Sequence, residues 1–108
     1  LFFGGPNNKD LEAGKMISMI PISLEKIPQD VRDREILRTA IIAELDAVNL
    51  YEQLTAMTKD KSLKIVLMDV AKEEKTHVGE FQALLLKLDR EQEKELAEGK
   101  KEVDELTK

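Results

Sequence analysis

No cysteine occurs among the 108 residues, and this one absence removes disulfides, zinc fingers, iron–sulfur clusters and thiol catalysis together. Any metal chemistry must rest on carboxylates and imidazole. Tryptophan is also missing, and three Phe and one Tyr are the only aromatics, a supply too thin for a β-sandwich core. The three prolines all fall at or before Pro28, so the rest of the chain is free of that helix breaker. There is no long apolar run either. Met16 to Leu24, the longest near the N-terminus, is interrupted by Pro21 and follows no basic segment. It is shorter than the roughly 20 residues that span a bilayer, which predicts a soluble, cytoplasmic protein with no membrane partner. Positive charge is the minority sign, 17 Lys and Arg against 22 Asp and Glu. Without a basic stripe and interleaved aromatics, nucleic acid is disfavoured as a partner and cations are favoured.

Hydrophobic residues at 42% and charged residues at 36% suit amphipathic helices with crowded polar faces. One small domain of this length buries little apolar surface alone, so long helices in it are expected to need a partner chain. Residues 1–29 carry Gly4, Gly5, Pro6, Asn7, Asn8, Gly14, Pro21 and Pro28, a density of turn formers that predicts an extended N-terminal arm. Leu1 is not an initiator methionine, and Met16 is a candidate start.

Residues 30–108 read as a helical domain. From Asp30 to Thr58, Leu37, Ile41, Glu44, Val48 and Tyr51 recur at steps of four and three, the spacing of one helix face. Lys59 to Ser62 is a polar turn in which Asp60 or Ser62 can cap a second helix. A second seam runs Leu63, Leu67, Val70, Glu74, His77, Phe81, Leu84, Leu88. Asp89 with Gln92 then resembles a capping box opening a highly charged third segment, whose apolar positions are Leu96, Val103 and Leu106 with Gly99 between them. That segment is expected to be short and marginal by itself. The fold predicted is all-α: an antiparallel two-helix hairpin plus a short C-terminal helix, with a second copy closing a dimeric four-helix bundle.

Three polar residues interrupt these apolar seams, and all three are metal-ligand types. A carboxylate on a buried seam costs several kcal/mol unless it is paired, protonated or metal-bound, on the order of the penalties for buried charges. Glu74 and His77 form an E-x-x-H step that puts both on one helix face about a turn apart. Counting from Asp60, Glu44 lies 16 residues back and Glu74 and His77 lie 14 and 17 on. At about 1.5 Å per residue these are depths of roughly 24, 21 and 25 Å, a single layer. Di-iron carboxylate bundles take one Glu from each of two helices and a Glu-x-x-His from each of the other two. One hairpin holds half of that set, and two copies hold four carboxylates and two imidazoles for two divalent ions. Hard oxygen with imidazole suits iron or manganese and leaves zinc open. The bland alternatives are a histidine hydrogen-bonded to a carboxylate at an interface, and glutamates paired with lysines. Tyr51, two turns from Glu44, is either a hydroxyl near the metals or a core residue with a wet tip. Asp46, Glu73 and Glu80 either draw cations inward or line solvated faces. Met16, Met19 and Met57 need no role beyond packing.

The stretch AIIAELDAVNLYEQL at 40–54, followed by LMDVAKEEKTHVGEFQALLLKLD at 67–89, resembles the encapsulated ferritins, and is especially similar to archaeal members joined to an encapsulin shell protein. The resemblance covers about Arg32 to Leu106. It rests on the glutamate of AELDA, a tyrosine seven residues later and the E-x-x-H of EEKTH thirty residues after that glutamate. It implies that Glu44, Glu74 and His77 bind iron, two ions per subunit pair, at a two-chain interface with Tyr51 beside it. These four residues would form a ferroxidase centre in a homodimer, and the dimers would build a ring, often of ten subunits, inside an encapsulin nanocompartment whose shell holds the mineral. Two positions depart from the family: Leu50 replaces the usual aromatic before the tyrosine, and Ala43 the usual acid before the glutamate. Of the acids associated with iron access, Asp46 is kept. No cargo-targeting peptide is visible up to Lys108, which fits either a domain cut from a fusion or an incomplete tail. The competing functions are a non-catalytic helical dimer or assembly module, and a rubrerythrin-like peroxide reductase, which often adds a cysteine-ligated iron that this chain has no cysteine to hold.

Overall fold

The computed structural model describes residues 27–108, and these form three helices in sequence: α1 (Gln29–Met57), α2 (Lys61–Leu88) and α3 (Arg90–Leu106). The arm expected over residues 1–29 therefore lies almost wholly outside the described residues, and its last position, Gln29, already belongs to α1.

Local chemistry sets each boundary. Pro28 precedes the first turn of α1, where its missing N–H costs nothing, and its carbonyl accepts the first helical bond from Arg32 N at 2.9 Å. Of the two caps expected for the second helix, Asp60 is the one used. Its Oδ1 accepts from Leu63 N at 2.8 Å, which starts α2 at Lys61. On the other side of the turn, Lys64 Nζ donates to Thr55 O at 2.9 Å, satisfying a carbonyl in the last turn of α1 with a cation that also suits the negative end of the helix dipole. A single residue, Asp89, separates α2 from α3, and its Oδ1 caps α3 by accepting from Gln92 N at 3.0 Å.

α1 and α2 pack against each other as a hairpin, while α3 touches only the end of α2 and its surroundings. Four apolar residues are buried in the hairpin: Ala47, Val48, Ala71 and Leu85. Two of them are alanines, and such small side chains at a helix crossing let the axes approach closely. Several larger apolar residues, Ile36, Leu45, Val66, Met68, Leu84 and Leu88 among them, remain exposed. A hairpin with so little enclosed core has its apolar flanks available for another chain, as expected of half a bundle. α3 is 17 residues long and survives its internal Gly99 with help from the Asp89 cap and the Arg90–Glu93 and Lys100–Asp104 pairs at 3.3 and 3.0 Å. All its residues except Gln92 are exposed. None of the described helices is long and apolar enough to cross a membrane.

Candidate metal centre

Glu44 projects from the middle of α1 toward Glu74 and His77 on α2, and the antiparallel register brings the three together as the residue count from the turn requires. His77 Nδ1 lies 3.4 Å from Glu74 Oε2 and 3.5 Å from Glu44 Oε2. One ligand atom from each residue falls within 4.8 Å of the others. All three seam residues singled out as metal-ligand types thus share one place.

The close approach has a local cause. Ala47 stands one turn after Glu44, Ala71 one turn before Glu74, and both are almost fully enclosed, at 2% and 1% exposure. Larger side chains there would push the helices apart and separate the carboxylates. These alanines are site-building residues that the seam pattern does not single out, although their offset of three from each glutamate was visible in the sequence.

The electrostatics of the cluster are unbalanced. Two carboxylates within 4.8 Å of each other repel by about 3 kcal/mol at an effective dielectric near 20. Among the described ion pairs neither carboxylate meets Lys or Arg. Lys75, adjacent to Glu74, turns instead to Glu52 on α1 at 3.6 Å. The alternative of lysine-paired glutamates is therefore not realised. Glu44 Oε2 is enclosed with no hydrogen-bond donor aimed at it, and such an atom is costly unless something cationic reaches it. The donor set, two hard oxygens and an imidazole nitrogen, fits iron.

One chain supplies only part of a coordination shell. The glutamate side chains are 19% exposed, but His77 is 43% exposed, so the cluster opens on one flank of the hairpin. The same flank continues along α2 to Leu84 and Leu88, seven and eleven residues beyond His77. There, with Ile36 and Leu37 of α1, they line an apolar groove of about 360 Å³. An open metal-ligand cluster next to an exposed apolar strip is the form expected of half an interfacial site.

The other candidate residues stand apart. Tyr51 is half-buried on α1 two turns beyond Glu44, and no hydrogen bond among the described residues joins its hydroxyl to Glu44, Glu74 or His77. Asp46, two residues from Glu44 and so about 200° around the helix, lines a shallow polar concavity with Asn49, Leu50 and Gln53 and does not join the cluster. Glu73 and Glu80 are exposed on α2. Met57 is an exposed residue at the end of α1, and Met16 and Met19 lie outside the described residues.

Among known proteins, the chain is 63% identical over 73 residues to a ferritin-like–encapsulin shell fusion protein of Pyrococcus furiosus, a match covering 68% of this chain and 21% of the fusion. It is 38% identical over 69 residues to the encapsulin nanocompartment cargo protein EncC of Myxococcus xanthus, covering 61% of this chain and 53% of that protein. The chain thus spans about a fifth and about half the length of these curated relatives. Its fold matches the crystal structure of the encapsulated ferritin domain from Pyrococcus furiosus with a TM-score of 0.74 at 53% identity, over 82% of this chain and 94% of that one. The EncFtn-like family matches residues 20–103, which take in the whole hairpin and most of α3, and the chain belongs to that family.

Proposed function

We propose that two copies of this chain face each other across the flank where His77 is exposed and oxidise ferrous iron between them. The observation that carries this reading is the convergence of Glu44, Glu74 and His77 on one point, with uncompensated negative charge and an opening toward that flank. A second copy related by a two-fold axis doubles the set to four carboxylates and two imidazoles, enough for two Fe(II) ions as substrate. Each ion gives up one electron. The two electrons with two protons reduce one dioxygen to hydrogen peroxide, or one peroxide to two waters. The chain's own work is to bring two carboxylates and the His77 imidazole to one place, and to neutralise the extra positive charge of Fe(III) with glutamate oxygens.

The pair is the catalytic unit, and pairs join into a ring. A ring needs a second self-contact, and Leu45 and Met68 are further apolar residues that the hairpin leaves exposed. The relatives' names include an encapsulin shell fusion and an encapsulin cargo protein. This supports a location inside an encapsulin compartment, where the shell holds the mineral that an open ring cannot enclose.

The test is ferrous oxidation followed by absorbance after anaerobic loading. The parent should bind two ions per pair and oxidise them faster than buffer does, and native mass spectrometry should show dimers or multiples of dimers. Oxidation no faster than the buffer blank, or monomers alone with iron at micromolar protein, would overturn the reading.

A further inference from the structure

Away from the metal centre, one carboxylate is buried and tied to two other helices at once. Asp89 is 8% exposed, and it is the single buried charged residue among those described. It is also the whole of the link between α2 and α3. Its backbone N–H donates to Leu85 O at 2.8 Å, closing α2. Its Oδ1 accepts from Gln92 N at 3.0 Å, opening α3. Its Oδ2 accepts from the Arg38 guanidinium on α1, 51 residues away in sequence. Three helices therefore meet at one residue, α2 through its backbone and α1 and α3 through its carboxylate.

The geometry points to the Arg38–Asp89 pair as a latch that fixes the direction in which α3 leaves the hairpin. α3 has little else to fix it. Beyond its first turn it is exposed throughout, and only Leu96, itself 43% exposed, reaches back to the groove of about 290 Å³ that Arg38, Ile41, Ile42, Gln82 and Leu85 line beside it. The cap bond to Gln92 joins Asp89 to α3 alone and tolerates rotation of the pair as a unit. The bond to Arg38 refers that unit to α1 and removes the freedom. A charge-assisted hydrogen bond to a buried acceptor holds its geometry better than an exposed ion pair. The Gln92 N–H, chiefly, and then Arg38 and Arg34 keep the Asp89 carboxyl below its ordinary range, although burial pushes it up, so the latch remains charged at neutral pH. The mechanical consequence is amplified by length. α3 has 17 residues, about 25 Å, and a swing of about 20° at Asp89 moves its far end by roughly 9 Å. In a longer protein, any segment C-terminal to α3 is aimed by this joint.

The cysteine-free chain makes the test direct. Spin labels on Ala83→Cys and Lys101→Cys report the α2–α3 distance, and labels on Gln53→Cys and Thr76→Cys report the hairpin as a control. Each labelled chain is co-assembled with an excess of unlabelled chain. The parent should give one narrow α2–α3 distribution. Arg38→Met, which leaves the cap intact, and Asp89→Asn, which keeps a capping oxygen without the charge, should each at least double its width. The control distance and far-UV circular dichroism should stay at parental values, and Arg38→Lys should restore part of the narrowing. An unchanged α2–α3 width in Arg38→Met, whatever Asp89→Asn does, would overturn the latch and assign the angle to the Leu96 packing. Ferrous oxidation should remain at the parental rate in Arg38→Met, which separates this joint from the metal-centre reading.

Discussion

Two acidic sites among the described residues, the α2–α3 joint and the middle of the hairpin, are treated oppositely. At the α2–α3 joint, Asp89 receives a backbone N–H and a guanidinium, so its charge is answered within the chain and its function is to hold helices together. In the middle of the hairpin, Glu44 and Glu74 converge on a single imidazole, and Glu44 Oε2 has no donor. The missing countercharge has to come from outside. Burial by itself does not make a carboxylate functional. A half-buried carboxylate with an enclosed oxygen left without compensation, beside a second carboxylate and an imidazole, is a place prepared for a cation.

The largest effects should come from the uncompensated group. Glu44→Ala, Glu74→Ala and His77→Ala are each expected to slow ferrous oxidation more than about tenfold, a loss of over about 1.4 kcal/mol in transition-state stabilisation, with helix content at the parental value. The metal-free Glu44→Ala and Glu74→Ala proteins should melt no lower than the parent, because one of two repelling charges is gone. Parental oxidation rates in all three variants would erase the distinction between the two acidic places.

Closer packing beside the same group comes next. Ala71→Leu should destabilise the hairpin by about 1–3 kcal/mol, the usual cost of overfilling a tight crossing, and weaken iron binding by separating Glu44 from Glu74. Denaturant midpoints together with iron titration measure both, and a variant with lower stability but parental affinity would show that Ala71 serves packing alone. A smaller loss, typically ~1 kcal/mol, is expected from Asp60→Ala, which removes the α2 cap. Oxidation per folded chain should not change, since the cap lies at the hairpin tip.

Acid distinguishes the two places most finely. Metal binding requires ionised glutamates and a neutral imidazole, so protons compete with it directly, and iron should leave on acidification while the helices persist. Bound metal and circular dichroism followed in one titration check this, and loss of both in a single step would contradict it. At Asp89 the folded carboxyl titrates lower than in the unfolded chain. Its stabilising contribution is therefore complete above the unfolded value, about 3.9, and disappears as pH falls through the lower folded value. The melting difference between parent and Arg38→Met should accordingly stay constant from about pH 8 to about pH 5 and shrink below about pH 4. A difference that changes across the neutral range would mean that the latch is not this ion pair.

The sequence by itself determined the helices, the turn and the layer in which the metal-ligand side chains meet. These follow from periods and counts along the chain: a four-three seam defines a face, and a fixed rise per residue on either side of Asp60 places Glu44 level with Glu74 and His77. The absence of cysteine had already narrowed the ligands to oxygen and imidazole. Tertiary structure alone decided how near the helices come, and therefore the role of Ala47 and Ala71, since the seam counts place residues along and around each helix but do not give the distance between axes. It alone decided that Lys75 turns to Glu52 and leaves Glu74 without a cationic partner, and that Asp89 is bound to Arg38. Each of these depends on contacts between side chains distant in sequence, where no local period links the partners and only packing brings their charges within reach.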